Sequence, residues 1–172
     1  MNEDELSRQA RDLGQLLIDQ NLTMASAESC TGGWVSKVAT DIAGSSAWFD
    51  CALVTYSNRA KMQWLGVPES VLASDGAVSQ AVVKHMVLGL LQRCDADLGV
   101  SISGVAGPGG GSPDKPVGTV WMAWARPGKV MESMRFQFDG DRNQVRMQAV
   151  FEALLGVRRM VVLEKENANE RE

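Results

Sequence analysis

The stretch Thr23-Met24-Ala25-Ser26-Ala27-Glu28-Ser29-Cys30-Thr31-Gly32-Gly33-Trp34-Val35 decides how the chain is read. Its first five residues form an apolar run of strand length. From Trp34 onward, Val35, Val38 and Ile42 recur at helical spacing. The hexapeptide Glu28–Gly33 is therefore a strand-to-helix turn, the joint from which α/β domains are built. The first N–H groups of a helix lack intrahelical acceptors, and the helix dipole adds positive potential beside them, so developing negative charge is stabilised there. Ser29 in that turn has the surroundings of a nucleophile; it has equally those of an N-cap, with Gly32 and Gly33 serving only close packing.

Outward from this turn, 172 residues suffice for one α/β domain with a substantial core. Hydrophobic residues make up 45% and charged residues 22%, the balance of an ordinary globular chain. No segment has the apolar length of a membrane span, and the start, Met1-Asn2-Glu3-Asp4-Glu5, is acidic where a signal peptide is basic, which points to the cytoplasm. A net charge of −4 argues against a general nucleic-acid surface but leaves room for one small anionic ligand. Cys30, Cys51 and Cys94 are widely spaced, with no C-x-x-C and a single histidine, His85. That pattern predicts neither a disulfide framework nor a structural zinc site, and Cys51 and Cys94 are expected as small core residues.

Along the chain, Leu6, Ala10, Leu13, Leu16 and Leu17 predict an amphipathic helix from Asp4 to about Gln20. The second helix is expected to stop at Ala43-Gly44. Trp48-Phe49 begins an apolar run that continues through Cys51-Ala52-Leu53-Val54-Thr55-Tyr56 and predicts a buried strand, followed by a helix capped by Asn58. Lys61 then falls in the first turn of that helix, beside a strand end like that of Ser29. Desolvated there it could act as a base; solvated it is one more surface charge. Turns at Val67-Pro68 and Asp75-Gly76 flank a short helix, and Ser79 caps a long one with Val82, Val83, Met86, Val87, Leu90 and Leu91 on its apolar side. The strand Asp97–Ser103 runs into a glycine-rich loop through Ser112. That loop lacks the Walker and dinucleotide signatures, and it reads as an anion cradle or as a flexible connector. Val117–Ala125 and Met131–Phe138 predict an antiparallel hairpin, and Asp139-Gly140-Asp141 leads into a last helix bearing Arg142 and Arg146 one turn apart. Two arginines at a helix start do not answer the dipole, so a nearby anion is expected. The sum is a single three-layer α/β domain over residues 1–165, a mixed central sheet flanked by helices with a C-terminal hairpin and helix, and a frayed tail at 166–172.

Three separated motifs carry a further inference: Ala27-Glu28-Ser29-Cys30-Thr31-Gly32-Gly33, Tyr56-Ser57-Asn58-Arg59-Ala60-Lys61, and Ser103-Gly104-Val105-Ala106-Gly107-Pro108-Gly109-Gly110-Gly111 with Lys115-Pro116-Val117-Gly118-Thr119-Val120 after it. Together with Gly76-Ala77-Val78-Ser79 and Gly140-Asp141-Arg142 the chain resembles the CinA C-terminal domain family, the nicotinamide-nucleotide amidases. It departs from the family pattern at Cys51-Ala52-Leu53, where a more glycine-rich strand start is usual. The resemblance implies hydrolysis of nicotinamide mononucleotide to nicotinate mononucleotide and ammonia, with no metal and no cofactor. It implies Ser29 as nucleophile, Lys61 as base and Tyr56 beside them; the position of the turn at a helix start adds the expectation that backbone amides at Cys30, Thr31 and Gly32 hold the oxyanion. Gly107, Gly109, Gly110, Gly111 and Arg142 would bind the mononucleotide, with Arg146 a weaker choice. Three matters stay open at this level. Cys30 is the better intrinsic nucleophile, a non-catalytic nucleotide-binding module would use the same loop, and five tryptophans suit either a core or a homo-oligomer interface.

Overall fold

The computed structural model describes residues 2–129 and 131–169, with side chains up to residue 163. The first helix, α1 (Glu3–Asp19), starts in a capping box: Asn2 Oδ1 accepts the Glu5 N–H, and the Glu5 carboxylate accepts the Asn2 N–H. There follow β1 (Met24–Glu28), α2 (Trp34–Thr40), a 3₁₀ turn (Ser45–Ala47) and β2 (Phe49–Val54). Next come α3 (Asn58–Leu65), α4 (Glu69–Asp75), α5 (Gln80–Leu91), β3 (Leu98–Gly104), the hairpin β4 (Thr119–Ala125) and β5 (Glu132–Gln137), and α6 (Arg142–Asn169). The frayed end expected at 166–172 falls on residues whose side chains lie outside the described set. No helix among the described residues is long and apolar enough to cross a membrane.

The strand order is β2-β1-β3-β4-β5, with β1 parallel to both neighbours and the β3–β4 and β4–β5 pairs antiparallel. From β1 the chain steps to one side to form β2 and returns through α3, α4 and α5 to add β3 on the other side. The carboxyl ends of β1 and β3 therefore border a topological switch point, where open α/β sheets take their ligands. Helices α1, α2 and α6 cover one face and α3, α4 and α5 the other, giving the expected three layers.

The two faces of β3 show how the layers fit. Leu98, Val100 and Ile102 enter the cluster beneath α1 and α6, while the alternate positions Gly99, Ser101 and Ser103 are small and let α5 come close. Ser101 Oγ donates to the Val83 carbonyl of α5 at 2.6 Å. Helix α5 meets α3 as tightly at Gly89, where a Cβ would overlap the Leu65 carbonyl oxygen. Backbone cannot swing aside as a side chain can, so Gly89→Ala is expected to lower stability by about 1–3 kcal/mol or more in spite of alanine's better helix propensity. Chemical denaturation checks this; an unchanged or higher midpoint would contradict the close approach.

Three expectations need correction. The apolar run after Trp48 is an edge strand: β2 pairs only with β1, none of its residues is fully buried, Asp50 and Val54 are exposed, and the following Tyr56 is 64% exposed. A run of apolar residues marks a strand without saying how many neighbours it has. The cap of α3 is Ser57, whose Oγ accepts the Ala60 N–H at 3.1 Å, and Asn58 is the first helical residue. Cys51 and Cys94 are half-buried rather than core, because one lies on the edge strand and the other just beyond α5. Of the five tryptophans, Trp48 and Trp124 are buried in the core and Trp64 is 54% exposed.

Candidate active site

Ser29 follows the last residue of β1 and is held over the sheet by its N–H, which donates to the Ile102 carbonyl at 3.0 Å. The chain then reverses through Gly32 and Gly33, whose φ angles of 62° and 93° lie where residues with a Cβ are strained. Lys61 reaches the same point from the neighbouring strand end. After β2 the backbone passes Thr55 and Tyr56, Ser57 caps α3, and the fourth helical residue projects back over the loop that preceded it. Lys61 is 1% exposed, and its Nζ lies 2.9 Å from Ser29 Oγ, 2.8 Å from the Thr55 carbonyl and 3.2 Å from the Tyr56 carbonyl.

Three oxygens around one nitrogen suit both states of an amine. An ammonium donates one hydrogen to each. A neutral amine keeps two hydrogens for the two carbonyls and turns its lone pair to the serine, whose hydroxyl then donates to it. Carbonyl dipoles do not replace the hydration of a full charge, so burial lowers the Lys61 pKa to about 8. Cys30 shows the opposite effect. Its thiol is 6% exposed, and burial pushes its pKa up to about 12, against weaker opposing contributions from its backbone hydrogen bond and from Lys61 and Arg146.

Ser29, Cys30 and Lys61 open into a cavity of about 190 Å³ whose other walls are Tyr56, Ala77, Val78, Ser103, Gly104, Ala106 and Arg142. Ser103 fixes one wall by donating to the Ala77 carbonyl at 2.7 Å. Arg142, at the start of α6, closes the mouth: its guanidinium donates to the Gly107 carbonyl at 2.7 Å and to the Tyr56 hydroxyl at 3.3 Å.

The CinA C-terminal domain family matches residues 6–161. The chain belongs to that family. It is 54% identical over 154 residues to the nicotinamide-nucleotide amidohydrolase PncC of Escherichia coli K12, covering 90% of this chain and 93% of that one. It is 50% identical to the Pseudomonas putida protein of the same description, with 90% and 96% covered. The crystal structure of the competence/damage-inducible protein CihA of Agrobacterium tumefaciens superposes with a TM-score of 0.86 at 37% identity, over 89% of this chain and 95% of that one.

Within this CinA domain the expected binding residues separate. Arg142 lines the cavity and Gly107 reaches it only through the carbonyl that accepts from Arg142, whereas Gly109, Gly110 and Gly111 are exposed and form no part of its wall. Arg146 turns the other way. Its guanidinium donates to the Cys30 carbonyl at 3.0 Å and the Thr31 carbonyl at 2.8 Å, with its carbon 5.2 Å from the centre of the Trp34 ring. It clamps the turn that carries Ser29, and a carbonyl pair takes the place of the anion expected from the sequence.

Sequence reasoning missed Glu28 as a working residue. Completely buried, its carboxylate accepts from the Ser26 and Thr31 hydroxyls and from the N–H groups of Gly33, Val35 and Ser36. The amides at the start of α2, expected to face a reacting oxygen, face this acid instead. The Gly32 N–H donates to the Ser29 carbonyl at 3.1 Å. Among the described residues no carbonyl takes the N–H of Cys30 or Thr31, and the Cys30 N–H faces its own thiol sulfur. The available signal was an acid placed just ahead of a helix start, the usual position of a carboxylate that satisfies N-terminal amides.

Proposed function

We propose that the chain hydrolyses the carboxamide of nicotinamide mononucleotide, releasing ammonia and nicotinate mononucleotide, with Ser29 as nucleophile and Lys61 as general base. The observation that carries this is the 2.9 Å approach of a buried, desolvated Lys61 amine to Ser29 Oγ within a cavity. The names of the PncC relatives support the substrate. Neutral Lys61 accepts the Ser29 proton as Oγ bonds to the carboxamide carbon, and the oxygen of that group takes up the negative charge beside the Cys30 and Thr31 amides. Lys61 returns the proton to the departing nitrogen, so ammonia leaves and an ester to Ser29 remains. A water molecule then gives its proton to Lys61 and adds to the ester carbon, after which Ser29 Oγ departs and recovers the proton. Tyr56 is oriented by Arg142 and borders the cavity, and Arg146 and Glu28 hold the turn rigid from opposite sides.

Arg142 has the charge and position to bind the phosphate of the mononucleotide while the ring lies inward, and the Gly107 loop is its support. The experiment is ammonia release from nicotinamide mononucleotide by the purified protein, compared with Arg142→Ala. The parent is expected to turn over. The variant should show KM raised about ten- to hundredfold, the worth of one charge-assisted contact, with a smaller change in kcat. Absence of turnover by the parent while the mononucleotide still binds would leave a nucleotide-binding module instead.

A further inference from the structure

At the other end of the sheet from Ser29, three side chains from separate parts of the sequence converge. Asp50 and Cys51 lie at the start of β2, and Cys94 lies just beyond α5. The Asp50 carboxylate and the sulfurs of Cys51 and Cys94 all lie within 4.8 Å of one another. We propose that Asp50, Cys51 and Cys94 form a binding site for a soft divalent cation of the zinc type, with water as the fourth ligand.

Geometry supports this first. A tetrahedral zinc ion with metal–sulfur distances of about 2.3 Å spaces its ligand atoms about 3.5–3.8 Å apart, so small side-chain rotations close the site from the observed separation. The supports are firm: Cys51 is in register with Ala25 of β1, and both cysteines pack against the buried cluster of Ala25, Leu65 and Leu90. The Cys94 thiol donates to the Leu90 carbonyl at 3.3 Å, which fixes its direction off the last turn of α5. Asp50 is exposed, which leaves the outer side open to water.

Electrostatics points the same way. All three groups become anions when they ionise, and no ion pair among the described residues involves Asp50. A dication binds such thiols as thiolates with release of protons. Two sulfurs select zinc, cadmium or cobalt over magnesium and calcium. The widely spaced cysteines hid this arrangement in the sequence, since the fold alone brings β2 and the end of α5 together. In register with Ala25, the site lies at the opposite end of β1 from the reacting serine. Its cation would therefore tie the edge strand to α5 and take no part in amide hydrolysis.

The test is titration of the reduced, metal-free protein with Co²⁺, followed by the sulfur-to-cobalt charge-transfer band and by displacement with Zn²⁺. One cobalt per chain is expected, together with a rise in melting temperature on adding Zn²⁺ and none with Mg²⁺. C51S and C94S should each lose the band and bind at least about tenfold more weakly, while D50N keeps the band at reduced affinity. Cys30 remains in every variant as an internal control. A full-strength band in C94S, or no band in the reduced parent, would overturn the proposal. C94S changes only sulfur to oxygen at a half-buried position, so its melting curve without metal separates loss of the site from loss of the fold.

Discussion

Lys61→Arg should cost about 10³- to 10⁴-fold in kcat/KM although the positive charge is kept. The full range of general-base catalysis is lost, because a guanidinium holds its proton at any pH the fold survives. The three oxygens 2.8–3.2 Å around Nζ are also arranged for a single nitrogen on a narrow stem, and a planar fork cannot occupy that space. The parent enzyme should show the other side of the same property. Burial brings Lys61 to about 8, and the neutral form is the base, so kcat/KM should rise close to tenfold per pH unit below that value and level off above it. In Lys61→Met the residual rate should lose this inflection. A parent profile flat from pH 6 to 9, or an active arginine variant, would remove Lys61 from the role of base. The comparison separates base from counter-ion, since arginine supplies the second function and not the first.

What the sequence makes legible follows the range over which its signals act. The stripe of α1, the Ser79 cap of α5, and the hairpin β4–β5 are all set within a few residues, and each stands within two residues of its expected bounds. The strand-turn-helix at Ser29 is local too, and so is the return of Lys61 over the loop before α3. Long-range facts are different. Nothing in the run Phe49–Val54 tells that β2 is an edge, because the pairing is decided by where the chain adds β3 after three helices. Arg142 and Arg146 are indistinguishable on a helix wheel, yet one meets Tyr56 and the other the back of the Ser29 turn. Only the packing of α6 against α2 divides them. The pair Cys51–Cys94 escaped for the same reason, since tertiary packing alone brings β2 and the end of α5 together; Glu28 is different, because its partners Ser26, Thr31, Gly33, Val35 and Ser36 are all near it in sequence and its signal was local.

Ser29→Ala should reduce ammonia release by about 10⁴-fold or more, whereas Cys30→Ala should stay within about fivefold of the parent. The two residues are adjacent, share the electropositive turn, and differ in which one the amine serves. Lys61 Nζ contacts Ser29 Oγ, so the hydroxyl has a base at hydrogen-bond distance. The Cys30 thiol has no such partner, and with its pKa near 12 it is almost entirely protonated at neutral pH in spite of the nearby cations. Nucleophilicity resides in the anion, so the better intrinsic nucleophile is here the less available one. The alanine at 30 leaves in place the backbone N–H proposed to stabilise the developing oxyanion. Mass spectrometry on protein quenched during turnover provides the independent readout: an adduct, where it accumulates, should map to the peptide containing Ser29 and be ester-linked. Retained activity in Ser29→Ala with loss in Cys30→Ala would reverse the assignment. Lys61 would then have to draw a proton from a thiol that its own charge lowers too little to ionise.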